Sequence, residues 1–185
     1  MTTVIMAVSI VPLLFIAPLL PKLIDAFGKR KLTVFCSIVF IFLSVIQFFV
    51  GYKSLTAFLA VSAVRIVFMQ VPALIYGMFT ADCVEYGAYK TGERTEGAIF
   101  SVQTLVTKFA SAICSVICLG LMSAYGYVKQ VTTQTAQAEH GIWIILTLVP
   151  IAGYLCMLVA MVFYNLKEQD VAKMVTEMKK TGNSL

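Results

Sequence analysis

Apolar residues run in five long stretches, roughly 3–20, 32–51, 55–79, 97–124 and 141–164, with charged residues gathered between them. Each stretch approaches or exceeds the ~20 residues that cross a bilayer as a helix. No run of alternating apolar and polar positions marks a strand, which argues against a membrane β-barrel. The pattern predicts an all-α membrane protein. Residues 1–164 form a five-span membrane domain, and residues 165–185 form a tail. From Gln169 to Lys180, Val171, Met174, Val175 and Met178 share one helical face, with Lys173 and Glu177 as a favourable i,i+4 pair. A short amphipathic helix is expected there, lying against the inner leaflet or the protein.

Punctuation refines this plan. Gly51-Tyr52-Lys53-Ser54 is a tight turn that makes the second and third spans an antiparallel hairpin. Pro72 and Gly77 fall in the third span, where they mark either a bend beside a cavity or ordinary packing. Tyr125, Tyr127 and Trp143 flank an outer loop and suit the membrane interface. No period of 20–50 residues repeats.

Composition agrees. The chain has 185 residues, 60% hydrophobic and 12% charged, with mean hydropathy +0.92. That is too apolar for a soluble domain of this length. The net charge of +5 matters less than its placement. Ten cations lie in 21–31, 80–96 and the tail, against two, Lys53 and Lys129, in the other loops. Positive charge marks the cytoplasmic side, so the C-terminus is expected inside and the N-terminus outside. A bacterial inner membrane is the expected location. No Lys or Arg precedes Lys22, and Pro12, Pro18 and Pro21 differ from a cleavable leader. The first stretch reads as an internal span of a longer protein.

The candidate chemistry is electrostatic. All nine acids lie outside the apolar stretches, whereas Arg65 and Lys108 lie inside them. A cation at that depth needs a counter-charge, water or a polar substrate. Ser101, Thr104, Lys108, Ser111 and Ser115 recur at spacings of three and four, forming one polar face, widened by Gln103 and Thr107. Such a stripe suits a helix–helix seam. The ammonium favours a water-filled or substrate-lined cavity instead, because burying it unpaired costs about 2.5–3.5 kcal/mol or more. Arg65 has three readings: a partner for a distant acid, a ligand for an anionic substrate, or a brace for backbone. Cys114 and Cys118 share a face but have no acid or histidine nearby, which favours packing. His140 is expected in a solvated loop. No nucleophile–base pair, metal-spaced cluster or phosphate-cradling glycine loop appears, so no enzyme activity, metal, cofactor or nucleic-acid partner is expected.

Two inner loops carry motifs. Asp25-Ala26-Phe27-Gly28-Lys29-Arg30-Lys31 resembles the D-x-x-G-[KR]-[KR] inner-loop motif of major facilitator transporters. The longer loop includes Asp82, Glu85, Tyr86, Tyr89, Lys90, Arg94 and Glu96, then Ser101-Val102-Gln103-Thr104. An acidic pair, Tyr-Gly-x-Tyr-Lys, Arg-x-Glu and Ser-x-Gln-Thr in that order resemble the glycoside–pentoside–hexuronide:cation symporters, the melibiose-carrier family. Ala88 stands where the family commonly has an acid, and Ala73 where some members have an aromatic.

The resemblance implies that the five spans correspond to helices eight to twelve of a twelve-helix major facilitator fold. Lys108 then matches the helix-eleven lysine that faces the central cavity and couples cation to sugar, and Thr104 a threonine near the sugar. It implies sugar:cation symport by alternating access, with Na+ or H+ as coupling cation. The cation-site carboxylates would belong to a missing N-terminal half. The 80–96 loop would form salt bridges across the inner gate. Two rival readings are a truncated carrier without autonomous transport and a small membrane interaction protein.

Overall fold

The computed structural model of the protein describes residues 16–50, 55–93, 95–129, 131, 135–164, 166 and 168–180. All regular structure among them is helical. The described part of α1 covers 16–27, followed by α2 (Lys29–Val50), α3 (Leu55–Thr91), α4 (Glu96–Ala124), α5 (Ala136–Phe163) and α6 (Glu168–Lys180). The last four apolar stretches thus become α2 to α5, each long and apolar enough to cross a membrane. The 51–54 turn and most of the first stretch lie outside the described residues.

α1 folds back on α2 around Gly28. This residue sits at φ 81°, a left-handed conformation that glycine adopts without a Cβ clash. Its N–H donates to the Ile24 carbonyl at 2.7 Å, closing the helix end. Ile16, Leu20 and Ile24, one turn apart, then pack on Leu32 and Cys36 of α2, and Val71 and Ile75 of α3 close the cluster.

α2 is the centre of the bundle, packed against both α3 and α5. Its buried face is small and polar: Thr33, Ser37, Ser44 and Gln47 recur with Phe40 between them. Ser37 and Ser44 donate to the carbonyls four residues back, at 2.6 and 2.8 Å, so neither needs a partner from another helix. Gln47 reaches across to Ser62 of α3 at 2.9 Å. Small residues let the backbones approach, which is how helices associate without a hydrophobic driving force between them.

α3 departs most from the expected plan. The stretch 80–96 is not mainly loop, because the helix runs on to Thr91. Nothing in 80–91 breaks a helix; the break comes at Gly92, with φ 73°. Thirty-seven residues make a rod about 55 Å long. The hydrocarbon core is about 30 Å thick. α3 therefore extends well beyond it, and α6 packs on this extension, with Val84 and Val171 both buried. Tyr89 donates to Glu177 of α6 at 2.9 Å. The tail helix expected from the sequence thus lies against protein.

At the opposite end, α4 and α5 are joined through a turn with Gly126 at φ 72°. Thr135 caps α5, accepting from the Ala138 N–H at 3.3 Å. Gly141 permits the close approach of Tyr125: a Cβ there would fall 2.5 Å from both Cβ and Cγ of that tyrosine. Atoms so near the backbone cannot swing aside. Gly141→Ala is expected to destabilise the protein by about 1–3 kcal/mol through overpacking. The measurement is the thermal unfolding midpoint in detergent, and an unchanged midpoint would contradict this packing.

Candidate functional site

Three cations in or beside the spans meet three environments. Lys29 opens α2 at the basic end. Its ammonium contacts both carboxylate oxygens of Asp82 at 2.8 Å, with the two side chains 15% and 11% exposed. The two inner-loop motifs thus meet within this chain. Arg30 donates to the Val162 carbonyl at 3.3 Å. That carbonyl lies in the last turn of α5, where helix acceptors lack intrahelical partners.

Arg65 lies half-buried in the first third of α3, within its apolar stretch. Its guanidinium donates to the Leu146 carbonyl of α5 at 3.4 Å and sits 5.3 Å from the Phe40 ring centroid. Phe40 in turn stacks on Tyr154 at 4.0 Å. The choice of Leu146 has a local cause. Its regular helical donor would be residue 150, which is Pro150 and has no N–H. Arg65 supplies the missing donor, the geometry of the backbone-brace reading. Tyr154 makes a similar contact, donating to the Met69 carbonyl of α3 at 3.1 Å near Pro72. Pro150 is a contributor that sequence reasoning passed over. A proline inside an apolar helix, four residues after a carbonyl that needs a donor, was the available signal.

Lys108 is different. It is exposed on α4, and no described residue forms a hydrogen bond or ion pair with it. α4 has no buried residue. Ser101, Thr104, Thr107, Ser111 and Ser115 each donate to the carbonyl four residues back, at 2.6–2.9 Å. Their oxygens keep lone pairs free to accept. Val102, Val106 and Ile113 occupy the other side of the helix, 59%, 54% and 46% exposed. α4 is thus a two-faced rod, apolar on one side and lined with hydroxyls and an ammonium on the other.

The remaining inner-loop residues are dispersed. Lys90 lies 6.0 Å from the Tyr86 ring centroid. Glu85 and Glu96 both have interaction partners. Asp25 lines a pocket with Gly28, Lys29 and Arg30. Gln103 is half-buried beside the exposed Ser101 and Thr104. Arg94 lies outside the described residues. The structure brings Lys29 to Asp82 and keeps Ser101, Thr104 and Lys108 on one face. It does not bring Arg65 to Lys108, since the contacts of Arg65 are with α2 and α5. Among the described residues no cluster of three His, Cys, Asp or Glu could hold a metal.

The family described as MFS/sugar transport protein has a model that matches residues 1–168. The chain belongs to that family. It is 28% identical over 168 residues to the Uncharacterized symporter YnaJ of Bacillus subtilis, covering 91% of this chain and 36% of that protein. It is 27% identical over 177 residues to the Glucuronide carrier protein homolog of Escherichia coli, covering 96% of this chain and 38% of the relative. It is 31% identical over 105 residues to the Isoprimeverose transporter of Lactiplantibacillus pentosus, covering 57% and 22%. The chain therefore spans little more than a third of the first two relatives. No solved structure matches it. Family membership and the long apolar helices make this a multi-pass protein of a membrane transport family.

A thermodynamic cycle tests the brace. Arg65→Leu is expected to destabilise the solubilised protein by about 1–3 kcal/mol, the cost of leaving a carbonyl within an apolar span without a donor. In a Pro150→Ala background, where residue 150 regains its N–H, the same substitution should cost clearly less. Equal costs in both backgrounds would rule out the brace.

Proposed function

We propose that this chain forms part of a sugar:cation symporter, and that the polar face of α4 lines the transport pathway against a complementary membrane bundle. The observation that carries the reading is Lys108, an exposed cation on a membrane-length helix with no partner among the described residues. Facing hydrocarbon, it would cost about 2.5–3.5 kcal/mol at least. Facing a hydrated cavity, it becomes a ligand. The stripe suits a polyhydroxylated substrate: hydroxyls that accept from sugar O–H groups, and an ammonium with three donors for sugar oxygens or a carboxylate. Relatives named for glucuronide and isoprimeverose support a glycoside, pentoside or hexuronide as the substrate class.

Coupling follows from charge. Acids on the complementary bundle would face Lys108 across the cavity. A bound Na+ or H+ neutralises them, releasing the ammonium to engage sugar, so that cation and sugar bind together. Two bundles rocking about this midplane site give alternating access. On the cytoplasmic side, the Lys29–Asp82 pair and the Arg30 contact hold α2, α3 and α5 together as the bundle moves as one body. Asp82 and Tyr89 are engaged within the chain, which leaves the exposed Lys90 and Glu93 as candidates for contacts that cross the inner gate.

The test is uptake of labelled glucuronides, pentosides and glycosides into vesicles that hold the chain together with its complementary bundle, with and without a Na+ or H+ gradient. Lys108→Gln should lower gradient-driven accumulation about tenfold, within the range of typical coupling energies. Downhill sugar exchange should suffer less. Unchanged accumulation would refute the assigned role.

A further inference from the structure

Two cavities adjoin at the basic end of the bundle. One is a groove of about 430 Å3 between α1, α2 and α3, lined by Ile16, Leu19, Leu23, Phe35, Cys36 and Phe68 among others. Its lining is almost wholly apolar, and its one charged residue is Lys31. The other is a polar pocket of about 470 Å3 that holds Asp25, Lys29, Arg30, Lys31 and Asp82. Phe27 and Lys31 line both. Within the polar pocket Lys29 and Asp82 neutralise each other. Arg30 and Lys31 then stand against Asp25 alone, a net charge of +1. Lys31 is exposed and has no ion-pair partner among the described residues.

We propose that these two cavities form one binding site for an anionic glycerophospholipid of the cytoplasmic leaflet, with an acyl chain along the α1–α2–α3 groove and the phosphate against Lys31. The match is of chemistry and order. An apolar slot opening at its end onto net positive charge mirrors a lipid, whose apolar chain ends in a charged phosphate. A soluble anion has no use for the groove, and a peptide helix would leave Lys31 unmatched unless it carried an acid at that point. Basic residues beside a membrane surface each favour anionic lipid by about fivefold. Nothing in the proposal depends on sugar transport.

The test uses the full chain in phosphatidylcholine nanodiscs with a small fraction of phosphatidylglycerol or phosphatidylcholine bearing a photoreactive diazirine in one acyl chain. Adducts are mapped by peptide mass spectrometry. Groove peptides of α1 and α2 should be labelled about fivefold more by the glycerol lipid, whereas α4 should be labelled equally by both. Lys31→Gln should bring the groove to equality and leave α4 unchanged, which also reports that the variant is folded. Leu19→Trp, which fills the groove, should lower labelling there by both lipids. Excess inorganic phosphate should leave the preference intact. Equal groove labelling in the unaltered chain, a preference that survives Lys31→Gln, its abolition by inorganic phosphate, or a groove shielded from both lipids by another polypeptide would each overturn the proposal.

Discussion

A positive charge carried into a bilayer has to be neutralised, hydrated or given acceptors, and the bundle is arranged around three answers to that demand. Lys29, at the membrane edge, takes a carboxylate from Asp82. Arg65, in mid-span, takes a carbonyl that Pro150 has left without a donor, together with the face of Phe40. Guanidinium suits that task, since its planar fork can donate and lie against a ring at once. Lys108 takes nothing from the described residues. The first two answers tie α2, α3 and α5 into one body. The third requires something beyond that body.

The contrast between α2 and α4 sharpens the point. Both carry hydroxyls at helical spacing, and in both the serines donate to their own backbone. On α2 the stripe is buried among neighbours, with Gln47 bonded to Ser62, and acts as a packing seam. On α4 no residue is buried. Hydroxyl spacing alone therefore does not separate a seam from a cavity wall. The cation does: beyond Lys29, which has Asp82 as its counter-charge at the membrane edge, the buried face of α2 carries none, because a close-packed seam offers neither water nor a counter-charge.

Much of this was legible in the amino-acid sequence, because lipid removes most alternatives to the helix. The later spans, the tail helix and the two-faced nature of α4 followed from length and period. The 81–104 stretch carried the family. What could not be read has physical causes. The end of α3 was hidden because apolarity marks the membrane boundary, whereas the helix stops only at Gly92, well beyond it. The pairing of Lys29 with Asp82 joins residues 53 positions apart, and no local pattern encodes such a contact. The seam on α2 passed unnoticed for want of a charge to draw attention to it. Arg65 stayed ambiguous because its acceptor is a backbone carbonyl, set free by a proline on a different helix.

Solvent access along α4 is the most direct measurement. Cys36, Cys83, Cys114, Cys118 and Cys156 would first be replaced, and single cysteines introduced into the chain assembled with its complementary bundle in membranes. If the polar face lines an aqueous pathway, Thr104→Cys, Lys108→Cys and Ser111→Cys react with a charged thiosulfonate, and sugar slows them. Val102→Cys, Val106→Cys and Ile113→Cys, on the opposite side, stay unreactive against lipid. Indistinguishable reactivity on the two faces, or reaction confined to the apolar one, would contradict the account.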